Sequence, residues 1–167
     1  MTSDGSPQDQ LNEFLAKYLP ETAAQAVEAL ERLRAQVPGA VEMVYDDCNA
    51  LVIGFGATER ASEAVLSIAV MPRWVDLCFI HDAAALSDPE GLLRGSGKLA
   101  RHIVLGSPAE VDAPAVRELI PHAVASSPTP VQHRHAGADD DRVRLGRAAP
   151  ARPAKGRSSS HARKPGR

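Results

Sequence analysis

Residues 74–105 read WVDLCFIHDAAALSDPEGLLRGSGKLARHIVL and decide the fold class. An apolar run, Val75 to Ile80, comes first. The cationic glycine turn Arg94-Gly95-Ser96-Gly97 then leads into a second apolar run, His102 to Leu105. Short runs rich in β-branched and apolar residues, bounded by turn residues, are typical of strands. The segment therefore predicts two strands whose connection ends in a turn that carries positive charge.

Three further runs of the same kind precede this segment. They are Val41 to Tyr45, Leu51 to Phe55 and Ala64 to Val70, and only short turn-forming stretches separate them. Connections this short allow only antiparallel neighbours, because a parallel crossover needs a dozen residues or more. The sequence thus predicts an antiparallel sheet of about five strands, and the alternative is a sheet of four strands with Arg101 to Leu105 as coil.

Two helices are predicted before the sheet. Ser6 is placed to cap the first, with Pro7 at its first helical position, and Pro20 separates it from the second. The second helix, over residues 21–37, is stopped by Pro38-Gly39. Its spacing predicts one apolar stripe facing the sheet, made of Ala23, Val27, Leu30, Leu33 and Val37.

One more helix is predicted after the sheet. Asp112 is its expected cap, Pro114 lies in its first turn, and Pro121 should kink or shorten it. Its apolar face consists of Val116, Leu119, Ile120 and Val124. Together these patterns predict a two-layer α+β domain over residues 8–125.

The remaining residues, 126–167, have a different composition. They are rich in Pro, Gly, Ala and Arg and show no apolar periodicity, so we expect this tail to be disordered. Residues 142–167 hold nine Lys or Arg and no acid, whereas residues 1–141 hold ten Lys or Arg against 21 acids, a net charge of −11. The tail therefore predicts salt-sensitive, sequence-independent association with nucleic acid, and a solubilising terminus is the alternative.

The sequence also bears on where the protein works. It has no apolar run of the roughly 20 residues that a membrane span requires, and its first ten residues show no cationic leader. Cys48 and Cys78 are the two cysteines, and free thiols are expected in a reducing compartment. These features predict a cytoplasmic protein with no membrane partner.

The stretch from Leu92 to Ile103, with its Gly95-Ser96-Gly97-Lys98 turn and its Arg101-His102-Ile103 triplet, resembles the bacterial YdhG-like family of domains of unknown function. Pro38, Glu42 and Tyr45 fit the same pattern at the start of the first strand. The resemblance spans roughly residues 11–125 and implies a compact α+β domain whose antiparallel sheet is backed by helices. It is remotely frataxin-like, which implies iron delivery as one possible activity, and it does not extend to the basic tail.

The glycine turn is the predicted binding site. Glycine N–H groups and nearby cations are suited to an anion, so a small anionic ligand is expected there. This turn is not a P-loop, because Leu92 stands where that motif needs glycine and Leu99 where it needs Ser or Thr. The alternative is a tight turn whose cations face water or pair with the acidic body. The predicted site residues are Arg94, Gly95, Gly97, Lys98, Arg101 and His102.

The other residues that could take part in catalysis or metal binding are predicted to have structural roles. His81 and Asp82 lie at the end of a strand and the start of a turn, and Cys78 in an apolar strand is expected to be inert. No catalytic set, cofactor motif or metal-ligand spacing is recognised, so we expect a non-enzymatic binding module. Iron binding by surface carboxylates is the alternative, for which the candidates are Asp9, Glu13, Glu21, Glu28, Glu31, Asp46 and Asp47.

Overall fold

Three helices and six strands make up the described chain. The computed structural model describes residues 5–46 and 49–131 and the backbone of Asp47 and of Val143–Leu145. The helices are α1 (Pro7–Leu15), α2 (Pro20–Gln36) and α3 (Pro114–Ala125). The strands are β1 (Val41–Asp47), β2 (Ala50–Gly56), β3 (Ala64–Val70), β4 (Val75–Phe79), β5 (Arg101–Leu105) and β6 (Val143–Leu145). The predicted α+β class, with two helices before the antiparallel sheet and one after it, is confirmed.

The first five strands form an antiparallel meander in chain order. Their spatial order is β5-β4-β3-β2-β1, and each strand pairs with its neighbour in sequence. The pairs Val44↔Ile53, Ile53↔Ile68 and Ile68↔Leu77 place one continuous apolar row across four strands. This row faces the helices, because α2 and α3 both contact β3. The helices thus cover one face of the sheet and bury the core there.

The N-terminal helix begins as its sequence predicts. The Ser6 hydroxyl accepts a hydrogen bond from the Asp9 N–H at 3.2 Å, and the Asp9 carboxylate accepts one from the Ser6 N–H at 3.0 Å. This reciprocal capping box satisfies donors that a helix start leaves unpaired. Pro7 follows at the first helical position, where its missing N–H costs nothing.

The predicted capping role of Asp112 is wrong. Ala113 precedes the first residue of α3, and Asp112 instead ends a 3-10 turn, Pro108–Asp112. The Asp112 carboxylate accepts hydrogen bonds from the Arg32 guanidinium and from the Gln36 side-chain amide, both on α2. These charge-assisted hydrogen bonds join the turn before α3 to α2, so the carboxylate is directed to α2 and does not cap α3.

Pro121 does not shorten α3. The helix continues to Ala125, four residues past the proline. A proline removes only one helical hydrogen bond, and the apolar face of α3 offsets that loss because Val116, Leu119, Ile120 and Ala123 are buried in the core.

The sixth strand corrects the expectation that nothing after residue 125 is ordered. Val143–Leu145 lies parallel to β1, with the register Glu42↔Val143 and Val44↔Leu145. Val131 also packs against the core. Three residues are too few to show a periodic pattern, and their pairing uses the main chain, so the composition of the tail hides it. The rest of the predicted disordered tail, 132–142 and 146–167, lies outside the described residues.

Candidate functional site

The predicted anion site forms a short hairpin at the outer edge of the sheet. The Arg94 N–H donates to the His102 carbonyl oxygen at 2.7 Å, and the His102 N–H donates back to the Arg94 carbonyl oxygen at 3.0 Å. This antiparallel pair places the Arg94 and His102 side chains directly opposite each other. The chain between them, residues 95–101, is the glycine turn.

Both glycines of the turn are required by its geometry. Gly95 has φ +107°, a conformation that side chains disfavour. At Gly97, an added Cβ would lie 2.8 Å from the Ala100 carbonyl oxygen. A Cβ at Gly95 would lie 3.9 Å from Nδ1 of His102, so the imidazole stands beside the turn. The glycines therefore permit a close approach of the backbone to itself and to His102.

The turn is attached to the domain on both sides. Its Lys98 and Leu99 carbonyl oxygens accept hydrogen bonds from the Ala84 and Ala83 N–H groups at 3.3 and 3.1 Å. On the incoming side, the Asp88 carboxylate accepts the N–H groups of Leu92 and Leu93 at 2.9 and 2.8 Å. Sequence reasoning did not single out Asp88, although an aspartate followed by proline is a turn signal that could have pointed to it.

The cations of the turn have no acidic partner within residues 5–46 and 49–131, whose side chains are described. Arg94 and Lys98 are exposed, and neither they nor Arg101 forms an ion pair with any residue of those two ranges. The Arg101 Nε instead donates to the Gly97 carbonyl oxygen at 3.2 Å, which holds its guanidinium at the turn. The alternative in which these cations pair with the acidic body is not seen among the described residues.

A row of polar side chains runs from the turn across the face of the sheet opposite the helices and ends at the buried Ser67. Ser67 lies opposite Cys78, Cys78 opposite His102, and His102 opposite Arg94, so all four side chains share one face. Directly opposed side chains lie about 4.5–5.5 Å apart at Cβ. The sequence did not reveal this row, because the pairing of strands that lie far apart in the chain determines it.

Cys78 is a partly buried thiol with a raised pKa. Burial raises its pKa to about 11, and a hydrogen bond with Ser67 only partly opposes that effect. The thiolate is the nucleophilic form, so a thiol of this kind is unreactive at neutral pH even with an imidazole opposite it. The predicted inert role is consistent with this environment. Cys48 lies outside the described residues.

We expect Cys78 to resist alkylation. In a Cys48→Ser variant at pH 8, iodoacetamide should react with the folded protein on the order of 100-fold more slowly than with an exposed thiol of ordinary pKa. The reaction is followed by mass spectrometry, and the urea-unfolded variant is the control that should react at the ordinary rate. A folded protein that reacts as fast as the unfolded one would contradict the buried environment.

His81 and Asp82 occupy a turn rather than a reactive pair. Asp82 has φ 45° and precedes the 3-10 turn Ala83–Ala85. Nε2 of His81 is buried and has no hydrogen-bond partner among the described residues. Within this part of the chain, no group of three His, Cys, Asp or Glu side chains is arranged to hold a metal ion.

Several acids proposed for iron binding already have partners. Asp9 belongs to the capping box of α1, Glu28 pairs with Arg32 at 2.7 Å, and Asp46 pairs with Lys17 at 3.0 Å. These carboxylates lie on different elements, α1, α2 and β1, and each is neutralised or hydrogen-bonded separately. They do not form a joint set of oxygen ligands.

An apolar groove of about 460 Å³ lies away from the turn, between the end of α2 and the second half of α3. No charged side chain lines it, so it offers nothing to an anion. Its lining residues include Val37, Ile120, Pro121, Val124 and Val131. The glycine turn, in contrast, is an open surface site, where charge rather than enclosure would hold a ligand.

The comparisons with known proteins add no assignment to this geometry. No family model matches the chain, and no curated protein or solved structure shows detectable similarity to it. The resemblance to the YdhG-like family therefore stays a prediction. None of the helices described here has the length and apolar character needed to cross a membrane.

Proposed function

We propose that this domain is a non-enzymatic binding module that takes a small anionic ligand at the glycine turn. The observation that carries the proposal is the set of three cations, Arg94, Lys98 and Arg101, that share one turn and have no ion-pair partner in the described part of the domain. Solvated cations so close together repel one another, and a bound anion relieves that repulsion.

Phosphate is the ligand group that fits this chemistry best. Guanidinium groups bind phosphate oxygens through two parallel hydrogen bonds, and a lysine adds a point charge. Arg101 is already held by the Gly97 carbonyl oxygen, so less of its side-chain freedom is lost when it binds. Because the turn is open to solvent, salt should weaken the attraction. The ligand we propose is therefore a small phosphate-bearing molecule that is held weakly and released readily.

Two other functions have less support. An enzyme would need a reactive nucleophile or an acid–base pair, and the Cys78 thiol, with its pKa raised to about 11, is not a nucleophile at neutral pH. Iron delivery would need several free carboxylates at one place, whereas Asp9, Glu28 and Asp46 have separate partners.

Removing two of the three turn cations should weaken the proposed binding. We expect the double variant Arg94→Gln plus Lys98→Gln to bind pyrophosphate at least about tenfold more weakly than the natural protein, because charge-assisted hydrogen bonds contribute about 1.5–3 kcal/mol each. Isothermal titration calorimetry at low ionic strength gives the affinities. Amide chemical shifts at residues 94–102 would show where the ligand sits.

Arg73 provides the matched control. It is exposed in the turn between β3 and β4, which lies at the other end of these strands from Arg101. The Arg73→Gln variant should therefore bind pyrophosphate within about twofold of the natural protein, since only long-range, screened charge is lost. If both variants lose the same affinity for pyrophosphate, the effect comes from net charge and not from the turn. If the natural protein does not bind pyrophosphate at all, the proposal is refuted.

A further inference from the structure

The sixth strand shows that the edge of β1 accepts an extended segment. Val143–Leu145 pairs parallel with β1, and Met43 lies opposite Arg144. Eleven residues, 132–142, separate this strand from Val131, so its position beside β1 is not forced by a short connection. Pairing of this kind relies on main-chain hydrogen bonds, which any strand of suitable character can supply.

The described residues of the internal strand, Val143–Leu145, face only part of that edge. All seven residues of β1 pair with β2 on one side, whereas only Glu42, Met43 and Val44 face β6 on the other. Val41 and the stretch from Tyr45 to Asp47 have no strand partner on the β6 side among the described residues. A longer extended peptide could therefore form more main-chain bonds with β1 than the internal strand does.

The border of this edge favours a basic occupant. Helix α1 contacts β6, and it carries Asp9 and Glu13, both exposed, with no Lys or Arg in its sequence. The internal strand itself reads Val143-Arg144-Leu145, an apolar, basic, apolar pattern, and residues 1–141 carry a net charge of −11. Opposite charge both attracts such a segment and discriminates against acidic ones.

We infer that the edge of β1 is a docking site for extended basic peptides and that Val143–Leu145 is an internal ligand that occupies it. The expected partner is a flexible segment in which apolar and basic residues alternate, added as a parallel strand. The internal ligand competes at an effective concentration on the order of millimolar, as for other short flexible tethers. A partner therefore displaces it only when its own strand is longer or more basic. This inference is independent of the glycine turn.

The test uses the full-length protein and a fluorescent peptide with the sequence RVRLGRAA, residues 142–149. The substitution Arg144→Pro in the protein removes an N–H group and disfavours the strand, so the edge of β1 becomes free. We expect this variant to bind the peptide at least about fivefold more tightly than the natural protein, as measured by fluorescence anisotropy. Arg157→Pro is the matched control, because it makes the same replacement elsewhere in the tail, and it should behave like the natural protein.

A second measurement does not depend on the variant. Hydrogen exchange of the natural protein should show slowed amides within residues 42–44, and excess peptide should slow further amides in residues 45–47. The same peptide with proline in place of its second arginine keeps most of its charge but cannot pair, so it should produce neither effect. Equal binding of the two peptides would overturn the inference in favour of simple charge attraction. Unchanged exchange in residues 41–47 would overturn it as well.

Discussion

Replacing Arg34 by methionine is expected to lower the free energy of unfolding by about 3–5 kcal/mol, which is the usual cost of removing one partner from a buried ion pair. The Glu42 side chain is 2% exposed and accepts two hydrogen bonds from Arg34, Nε to Oε1 at 2.7 Å and Nη2 to Oε2 at 2.8 Å. These bonds raise the pKa of the Arg34 guanidinium above its usual range. Without Arg34, the Glu42 carboxylate stays buried between α2 and β1 with no counter-charge.

A double-mutant cycle separates the interaction energy of the Arg34–Glu42 pair from the cost of leaving one charge buried. The Glu42→Met change should cost less than Arg34→Met, because Arg34 is partly exposed and can turn toward water. The double variant should be close to the natural stability, since two methionines fill the space without a buried charge. Urea denaturation followed by circular dichroism gives all four free energies. If both single changes cost less than 1 kcal/mol, the pair is not desolvated as described.

The sequence predicted the sheet well because its strands carry local signals. β3, Ala64–Val70, has the predicted bounds, and β5 begins at Arg101, one residue earlier than predicted. Each strand is a short apolar run between turn residues, and the connections from β1 to β4 are short enough to dictate antiparallel pairing. Neither property depends on distant parts of the chain.

The sequence placed only part of the buried face of α2, because Leu30 and Leu33 are buried as predicted but one member of the stripe is not. Val27 belongs to the predicted stripe, but it is 41% exposed, whereas Ala26 and Ala29 are completely buried. Periodicity shows that a helix has an apolar side, but alanines carry little weight in choosing which side. Small side chains allow α2 to pack close to the sheet. The preference for burying the alanine side of the helix therefore depends on the sheet and cannot be read from the helix alone.

The sequence indicated the residues of the glycine turn but not the hydrogen bonds and strand pairings that hold the turn in place. The turn at Gly95 and Gly97 and its surrounding cations follow from local sequence. The hydrogen bonds from Leu92 and Leu93 to Asp88, and the row from Ser67 to Arg94, depend on loop closure and strand register. The same is true of β6, whose three residues find β1 through long-range main-chain pairing.

The affinity of the tail for nucleic acid should depend steeply on the salt concentration. Beyond β6, residues 146–167 contain no acid and seven cations: Arg147, Arg152, Lys155, Arg157, Arg163, Lys164 and Arg167. If about four of them contact phosphates, the released counterions make the affinity for DNA fall about 100-fold between 50 and 200 mM salt. The acidic domain repels the same phosphates, so it should lower the affinity without changing the sign of the salt dependence.

A variant in which all seven of these cations are glutamine tests this prediction at constant chain length. It should lose DNA and RNA retention at 50 mM salt, whereas a variant with lysine at all seven positions should keep it, because counterion release depends on charge and not on side-chain shape. The tail beyond Leu145 also has no Phe, Tyr or Trp for base stacking, so single-stranded and double-stranded competitors of any sequence should compete with little preference. If the glutamine variant still retains nucleic acid, the interaction belongs to the domain and not to the tail. If binding does not respond to salt, counterion release by the tail is excluded. Because β6 remains intact in both variants, a change in retention reports the charge of the segment that follows it and not the loss of the strand.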